Sequence, residues 1–310
     1  MEQFHHIPVL LNEVITGLNI KPSGIYVDCT MGGGGHSSEI LKKLSSSGKL
    51  IGFDKDIDAC KVCSEKFENN SNVQIYNSDF KNAPEILKDL SGQIDGVLID
   101  LGVSSYQIDS AERGFSFLHN ARLDMRMNRS QKLTAYDVVN FYSEKDLLRI
   151  LYDYGEEQNA KNIVKNILLA RAQKPIETTF ELKDIIEKSF PKKVIYGKGG
   201  VSKQTFQAIR IEVNQELEGL KTCIESLIKF LKPGGRFAII SFHSLEDRIV
   251  KNAFKDACTG CICPPKTPVC ICGHHAVAKA ITRKPTIASQ EELNYNSRAS
   301  SAKLRIIEKL

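Results

Sequence analysis

The chain has 310 residues, 42% hydrophobic and 25% charged, a balance that excludes both a disordered protein and one buried in a bilayer. Its start lacks the basic and apolar regions of a secretory leader, and no later run reaches the roughly 20 apolar residues that a membrane helix needs, so a cytoplasmic protein with no membrane partner is expected. The net charge is +5, and eleven Lys or Arg against four Asp or Glu from Arg248 to Leu310 suit a polyanionic partner, though equally a solvated basic surface.

The first predicted elements are the strand Gly24–Asp28, the amphipathic helix Ser37–Leu44 and the strand Lys49–Phe53. A helix over Asp58–Phe67, a strand over Val73–Tyr76, a helix over Pro84–Leu90 and the apolar strand Gly96–Asp100 continue the alternation. Strands separated by short helices imply a parallel sheet covered on both faces. After Leu101 the text turns charged and loop-rich, with helical periods at Glu144–Leu151, Ala160–Ala172 and Thr179–Phe190 that read as an inserted helical domain. The sheet pattern returns with one long helix, Ile211–Leu231, the break Pro233-Gly234-Gly235 and the strand Arg236–Ser241. A last strand is expected over Ala302–Glu308, while Cys258–Ser289 reads as irregular. The expected organisation is therefore a first sheet segment at 1–108, a helical insertion at 109–206 and a second sheet segment at 207–310.

The first strand runs into Gly32-Gly33-Gly34-Gly35-His36 and then a helix. Ligands of open parallel sheets sit beyond the carboxyl ends of the strands, where glycines let the backbone approach them. The second strand ends at Asp54, an acidic residue placed to accept hydrogen bonds from ribose hydroxyls. So far a nicotinamide cofactor fits as well, although the spacing is Gly-x-Gly-Gly and not Gly-x-Gly-x-x-Gly. Asp79-Phe80 after the third strand offers an adenine hydrogen bond and a stacking face, or simply a core aromatic. The turn Leu231-Lys-Pro-Gly-Gly-Arg236 looks like that of class I methyltransferases.

A larger set of motifs sharpens this. His6-Ile-Pro-Val-Leu-Leu11, the glycine loop, Asp100-Leu-Gly-Val-Ser-Ser105, Ala111-Glu-Arg-Gly-Phe-Ser-Phe117, Leu123-Asp-Met-Arg-Met127, Tyr154-Gly-Glu-Glu157, Thr205-Phe-Gln-Ala-Ile-Arg-Ile211 and Ser241-Phe-His-Ser-Leu-Glu-Asp-Arg248 together resemble the bacterial RsmH (MraW) family nearly end to end. The resemblance implies a class I S-adenosylmethionine-dependent methyltransferase: an α/β, Rossmann-like, mostly parallel sheet with an inserted α-helical domain. It implies methylation of N4 of a cytidine in the decoding region of 16S rRNA, with the small ribosomal subunit as partner, and leaves a homodimer open. It places cofactor contacts on Gly34, Gly35, His36, Asp54, Phe80, Asp100 and Gln107. One departure is Ser300, where the family typically has an arginine, so any phosphate contact made there is lost or falls to Arg298 or Lys303.

Cytosine N4 is a poor nucleophile because its lone pair is delocalised into the ring, so the reaction needs alignment and an acceptor for the amine protons. Asp100 and His243, after the fourth and fifth strands, are the catalytic candidates, against capping or structural hydrogen-bonding roles. Arg113, Phe115, Phe117, Arg122, Arg126 and Arg129, together with Arg298, are candidates for holding RNA, the phenylalanines against a splayed base or equally within the core. Nine cysteines, five of them within Cys258–Cys272, read as reduced thiols. That cluster, with His274 and His275 beyond, holds enough ligands for one zinc, but its spacing matches no standard finger, so loop-packing thiols and no metal are expected. The rival readings are a DNA amino-methyltransferase, which lacks its Pro-Pro-Tyr segment here, a non-catalytic RNA-binding assembly factor, and a nicotinamide oxidoreductase.

Overall fold

In the computed structural model, residues 7–191, 193, 200–264 and 269–310 are described; His6 of the first motif lies outside them. Among the described residues, seven strands form one sheet: β1 (Ile25–Asp28), β2 (Lys49–Asp54), β3 (Val73–Asn77), β4 (Ile94–Asp100), β5 (Leu231–Ser241), β6 (Ala278–Ala280) and β7 (Lys303–Lys309). Their order is β3-β2-β1-β4-β5-β7-β6. The first five are mutually parallel, whereas β7 runs antiparallel to both β5 and β6.

Period-two alternation makes these segments strands with two buried faces. Val97 and Ile99 enter one apolar cluster with Val27, Ile51, Phe53, Phe237 and Ile239, while Leu98 enters the opposite one with Tyr26, Leu50, Ala238, Ile240 and Leu304. Strand order reverses between β1 and β4, and in such sheets the crevice outside the carboxyl ends at this switch is the ligand site. No helix among the described residues is long and apolar enough to cross a membrane.

The chain divides into two compact units: Met1–Gly102 with Glu218–Leu310, which carries the sheet, and Val103–Leu217. The second is helical, with Ala135–Phe141, Glu144–Asp153, Ala160–Arg171, Thr179–Lys188 and Lys203–Asn214 around a core that includes Val138, Leu147, Ile163, Ile167 and Leu182. Thr134 with Asp137 and Thr178 with Glu181 form reciprocal capping boxes that start two of these helices.

Two sequence expectations need correction. The long helix Ile211–Leu231 is two helices, Lys203–Asn214 and Leu220–Phe230, because Gln215 turns into the left-handed region at φ 50° and Gly219 does so at φ 69°. Lys203–Asn214 also belongs to the helical unit, since Phe206, Ala208, Ile209 and Val213 are spent in its core. The stretch Cys258–Ser289 is not wholly irregular, because Ala278–Ala280 pairs with β7 as the edge strand.

Candidate active site

Three of the four glycines after β1 have a local reason. Gly32 and Gly34 hold φ of +51° and +71°, which side-chain-bearing residues rarely adopt. A Cβ on Gly35 would stand 2.4 Å from Pro8 Cγ. The Ile-Pro-Val motif therefore has a physical role: Pro8 covers the loop, the Val9 carbonyl lies 3.0 Å from His36 Nε2, and the Leu10 amide donates to Glu292 at 2.8 Å. Gly33 differs, because a Cβ there would meet nothing within 4 Å.

Asp28, Asp54 and Asp100 close β1, β2 and β4 side by side. Asp28 is consumed internally, accepting from Ser37 Oγ at 2.6 Å and from the Thr30 amide at 3.1 Å; burial pushes its carboxyl up to about 6 against these bonds. Asp54 accepts the Gly32 and Asp56 amides at 2.8 Å each, one on each oxygen, so each keeps a second lone pair. Burial also raises Asp54 to about 6, with those amides opposing the rise.

Asp100 is the least satisfied of the three. Its Oδ1 is buried with no hydrogen-bond partner among the described residues, and its Oδ2 lies 3.7 Å from His36 Nδ1. A carbonyl can only accept, so the bond to Val9 puts a proton on His36 Nε2 and turns Nδ1 toward Asp100. Burial, and then the negative charges of Asp28 and Glu246, hold the Asp100 carboxyl well above the usual carboxylate range.

His243 sits at the N-terminus of the helix Ser244–Cys258, its Nε2 3.1 Å from Glu246 Oε1. Glu246, missed in the sequence, is buried and accepts the Phe242 amide at 2.8 Å and the His243 amide at 3.3 Å. The signal for it was present: a carboxylate three residues into a helix is the reciprocal half of a capping box. Phe80 is half-buried against the core below β3, and Asp79 caps its turn by accepting the Lys81 amide at 2.9 Å. Gln107 is buried in the helical unit and closes a capping box with Ser104.

The RNA candidates separate sharply. Arg113 is only 2% exposed and its Nη2 donates to the carbonyls of Arg126 and Met127 at 3.0 and 2.9 Å, so in this structure it braces the helical unit from inside and does not face a surface phosphate. Arg126 is likewise spent, forked onto Asp124 at 2.9 and 2.7 Å and donating to the carbonyls of Arg129 and Gln131. Phe115 and Phe117 pack on the helical core, Phe117 edge-on to Phe206 with ring centroids 5.3 Å apart. Arg129 pairs with Glu112 at 2.6 Å, Lys303 and Arg305 pair with Asp247, and Arg122 and Arg298 are exposed. Arg113→Ala is expected to cost about 2–4 kcal/mol by orphaning two buried carbonyls, read as a lower Tm. The salt slope of RNA binding should not change; a slope reduced by about one with Tm intact would restore the phosphate reading.

A mostly parallel sheet with a glycine loop after its first strand, an acid closing its second and an antiparallel strand beside its fifth defines a Rossmann-like methyltransferase fold. The chain belongs to the MraW methylase family, whose family model matches residues 3–310. It is similar to the ribosomal RNA small subunit methyltransferase H of Clostridioides difficile (strain 630), 53% identical over 99% of this chain and 100% of the relative. The protein of the same name from Clostridium botulinum (strain Kyoto / Type A2) is 52% identical over the same shares. Among solved structures, an rRNA methylase from Streptococcus thermophilus is similar with a TM-score of 0.41 and 12% identity, covering 99% of each chain.

Proposed function

We propose that this chain transfers a methyl group from S-adenosylmethionine to the N4 amine of a cytidine in the decoding region of small-subunit ribosomal RNA. The observation that carries the reading is the row of carboxylates at the switch point, ending in the unpartnered Oδ1 of Asp100. Such a row is electrostatically costly when empty and suits a cationic ligand. Methylation of small-subunit ribosomal RNA is supported by the family and by the names of its relatives; the N4 amine of a decoding-region cytidine is the finer part of the proposal, and a row of carboxylates suits a cationic cofactor.

Gly34, Gly35, His36 and Asp54 would hold the cofactor, Asp54 through the lone pairs its amide bonds leave, with Phe80 toward the base. Bound S-adenosylmethionine supplies an electrophilic methyl on a sulfonium. Asp100 accepts a hydrogen bond from the attacking amine, which favours the reactive lone pair and stabilises the charge developing on nitrogen. A cation beside Asp100 draws its carboxyl toward the ionised form that this role requires. His36, fixed by Val9, lines the pocket beside Asp100, and His243 stands beside Glu246 at the start of its helix.

Because Asp54 is raised to about 6, its ionised form, the better acceptor of ribose hydroxyls, is lost as pH falls through that value. Cofactor affinity by calorimetry should be level above pH 7 and weaken about tenfold per unit well below 6. Asp54→Asn should flatten this profile, and equal affinity at pH 8 and 5 in the parent chain would contradict the assignment. The reaction itself is tested by mass mapping of small-subunit ribosomal RNA from cells with and without the protein. One methyl group missing from a decoding-region cytidine is expected; unchanged RNA would refute the function.

A further inference from the structure

Between the helix Ser244–Cys258 and β6 runs a stretch, Thr259–Val277, whose described residues form no helix or strand. Its ends are drawn together by the Val277 amide donating to the Ala257 carbonyl at 2.9 Å.

Four thiols are gathered inside this loop in the pattern Cys261-x-Cys263-x6-Cys270-x-Cys272. Their sulfur atoms all lie within 4.8 Å of one another. Four of the distances are 3.5 Å (Cys261 to Cys270), 3.8 Å (Cys261 to Cys272), 3.9 Å (Cys263 to Cys270) and 3.5 Å (Cys270 to Cys272). A bonded disulfide needs about 2.05 Å, and all four are free thiols. A tetrahedron of sulfurs each about 2.3 Å from a central zinc has edges of about 3.8 Å. The measured spacing is thus that of ligands around one ion.

Packing alone does not account for the cluster. Cys261 and Cys270 are exposed, and the interleaved apolar residues are turned to solvent, Ile262 at 62%, Val269 at 72% and Ile271 at 84%. Free cysteines ordinarily bury like small hydrophobes; here the thiols meet one another while the larger apolar groups do not. The backbone N–H groups of Ile262 and His274 donate toward the Cys272 sulfur. Amides donating to a ligand sulfur are the supporting bonds found around metal thiolates.

We propose that Cys261, Cys263, Cys270 and Cys272 bind one zinc ion as a tetrathiolate site that fixes the loop between the Ser244–Cys258 helix and the edge strand. Four soft thiolates in a tetrahedron select zinc over the oxygen-seeking Mg2+ and Ca2+. They fill its coordination, so the ion is structural and holds no open position for catalysis.

The test is elemental analysis of the full chain purified under reducing conditions from zinc-supplemented cells. One zinc per chain is expected, and cobalt(II) exchanged for it should give the visible absorption of a tetrahedral thiolate site. Cys270→Ser and Cys261→Ser should cut zinc content at least tenfold, whereas Cys258→Ser, outside the cluster, should retain it. Chelation should speed amide hydrogen exchange at Ile262 and His274 without changing cofactor affinity. Less than a tenth of an equivalent of zinc in the parent chain overturns the proposal, as does equal loss of zinc in Cys258→Ser.

Discussion

Asp100→Asn should slow methyl transfer by about 10²- to 10⁴-fold, the range contributed by one positioned proton acceptor. The substitution keeps shape and removes the charge. The Asp100 carboxyl has one buried, unpartnered oxygen and stands beside two other acids, so a neutral amide relieves repulsion and the variant should fold at least as stably as the parent. Its amide group can turn hydrogen atoms toward the substrate amine where only an acceptor is useful. The loss should therefore appear in kcat, with KM for RNA nearly unchanged. Single-turnover transfer of labelled methyl to small subunits measures this, and a rate within threefold of the parent would remove Asp100 from the reaction. Asp100→Glu retains the charge but displaces it, and should recover part of the rate only if charge matters more than position.

Gly34→Val should abolish measurable cofactor binding and lower stability by about 2–5 kcal/mol. A left-handed backbone costs an L-residue about 1–2 kcal/mol, more when β-branched, and overfilling a packed site adds about 1–3. Gly34 has φ +71°, and even a Cβ there would press on Phe67 at 3.0 Å and Cys63 Sγ at 3.1 Å, both buried. Gly33→Ala separates folding from binding. Its added methyl enters open space, so Tm should hold, and weaker cofactor binding in calorimetry would mean that the ligand itself passes over Gly33. Normal binding by a folded Gly34→Val chain would dissociate the loop from the cofactor.

The sheet was legible because its strands carry their own signal: runs such as Val97-Leu98-Ile99, buried on both faces and bounded by turn residues, admit few other structures. The glycine loop and Asp54 were legible for the same reason, since a close backbone approach and an acid at a strand end leave a spacing in the text. Arg113 was not. Nothing local distinguishes a guanidinium that will be surrounded by carbonyls from one that will meet phosphate, and its partners at 126 and 127 are brought to it only by folding. The break at Gln215 was missed because a non-glycine residue rarely signals a left-handed turn. The Asp100–His36 relation depends on Val9, far away in sequence, taking the other ring nitrogen.

The placement of Lys303–Lys309 between β5 and β6 imposes an order of assembly on the nascent chain. Val103–Leu217 is contiguous and has its own apolar core, so it can condense while translation continues. The unit that carries the glycine loop cannot, because one of its inner strands, Lys303–Lys309, follows the whole of that contiguous unit and β5 in the chain. Until that strand emerges, β5 presents a bare edge, the kind of surface on which misassembly begins.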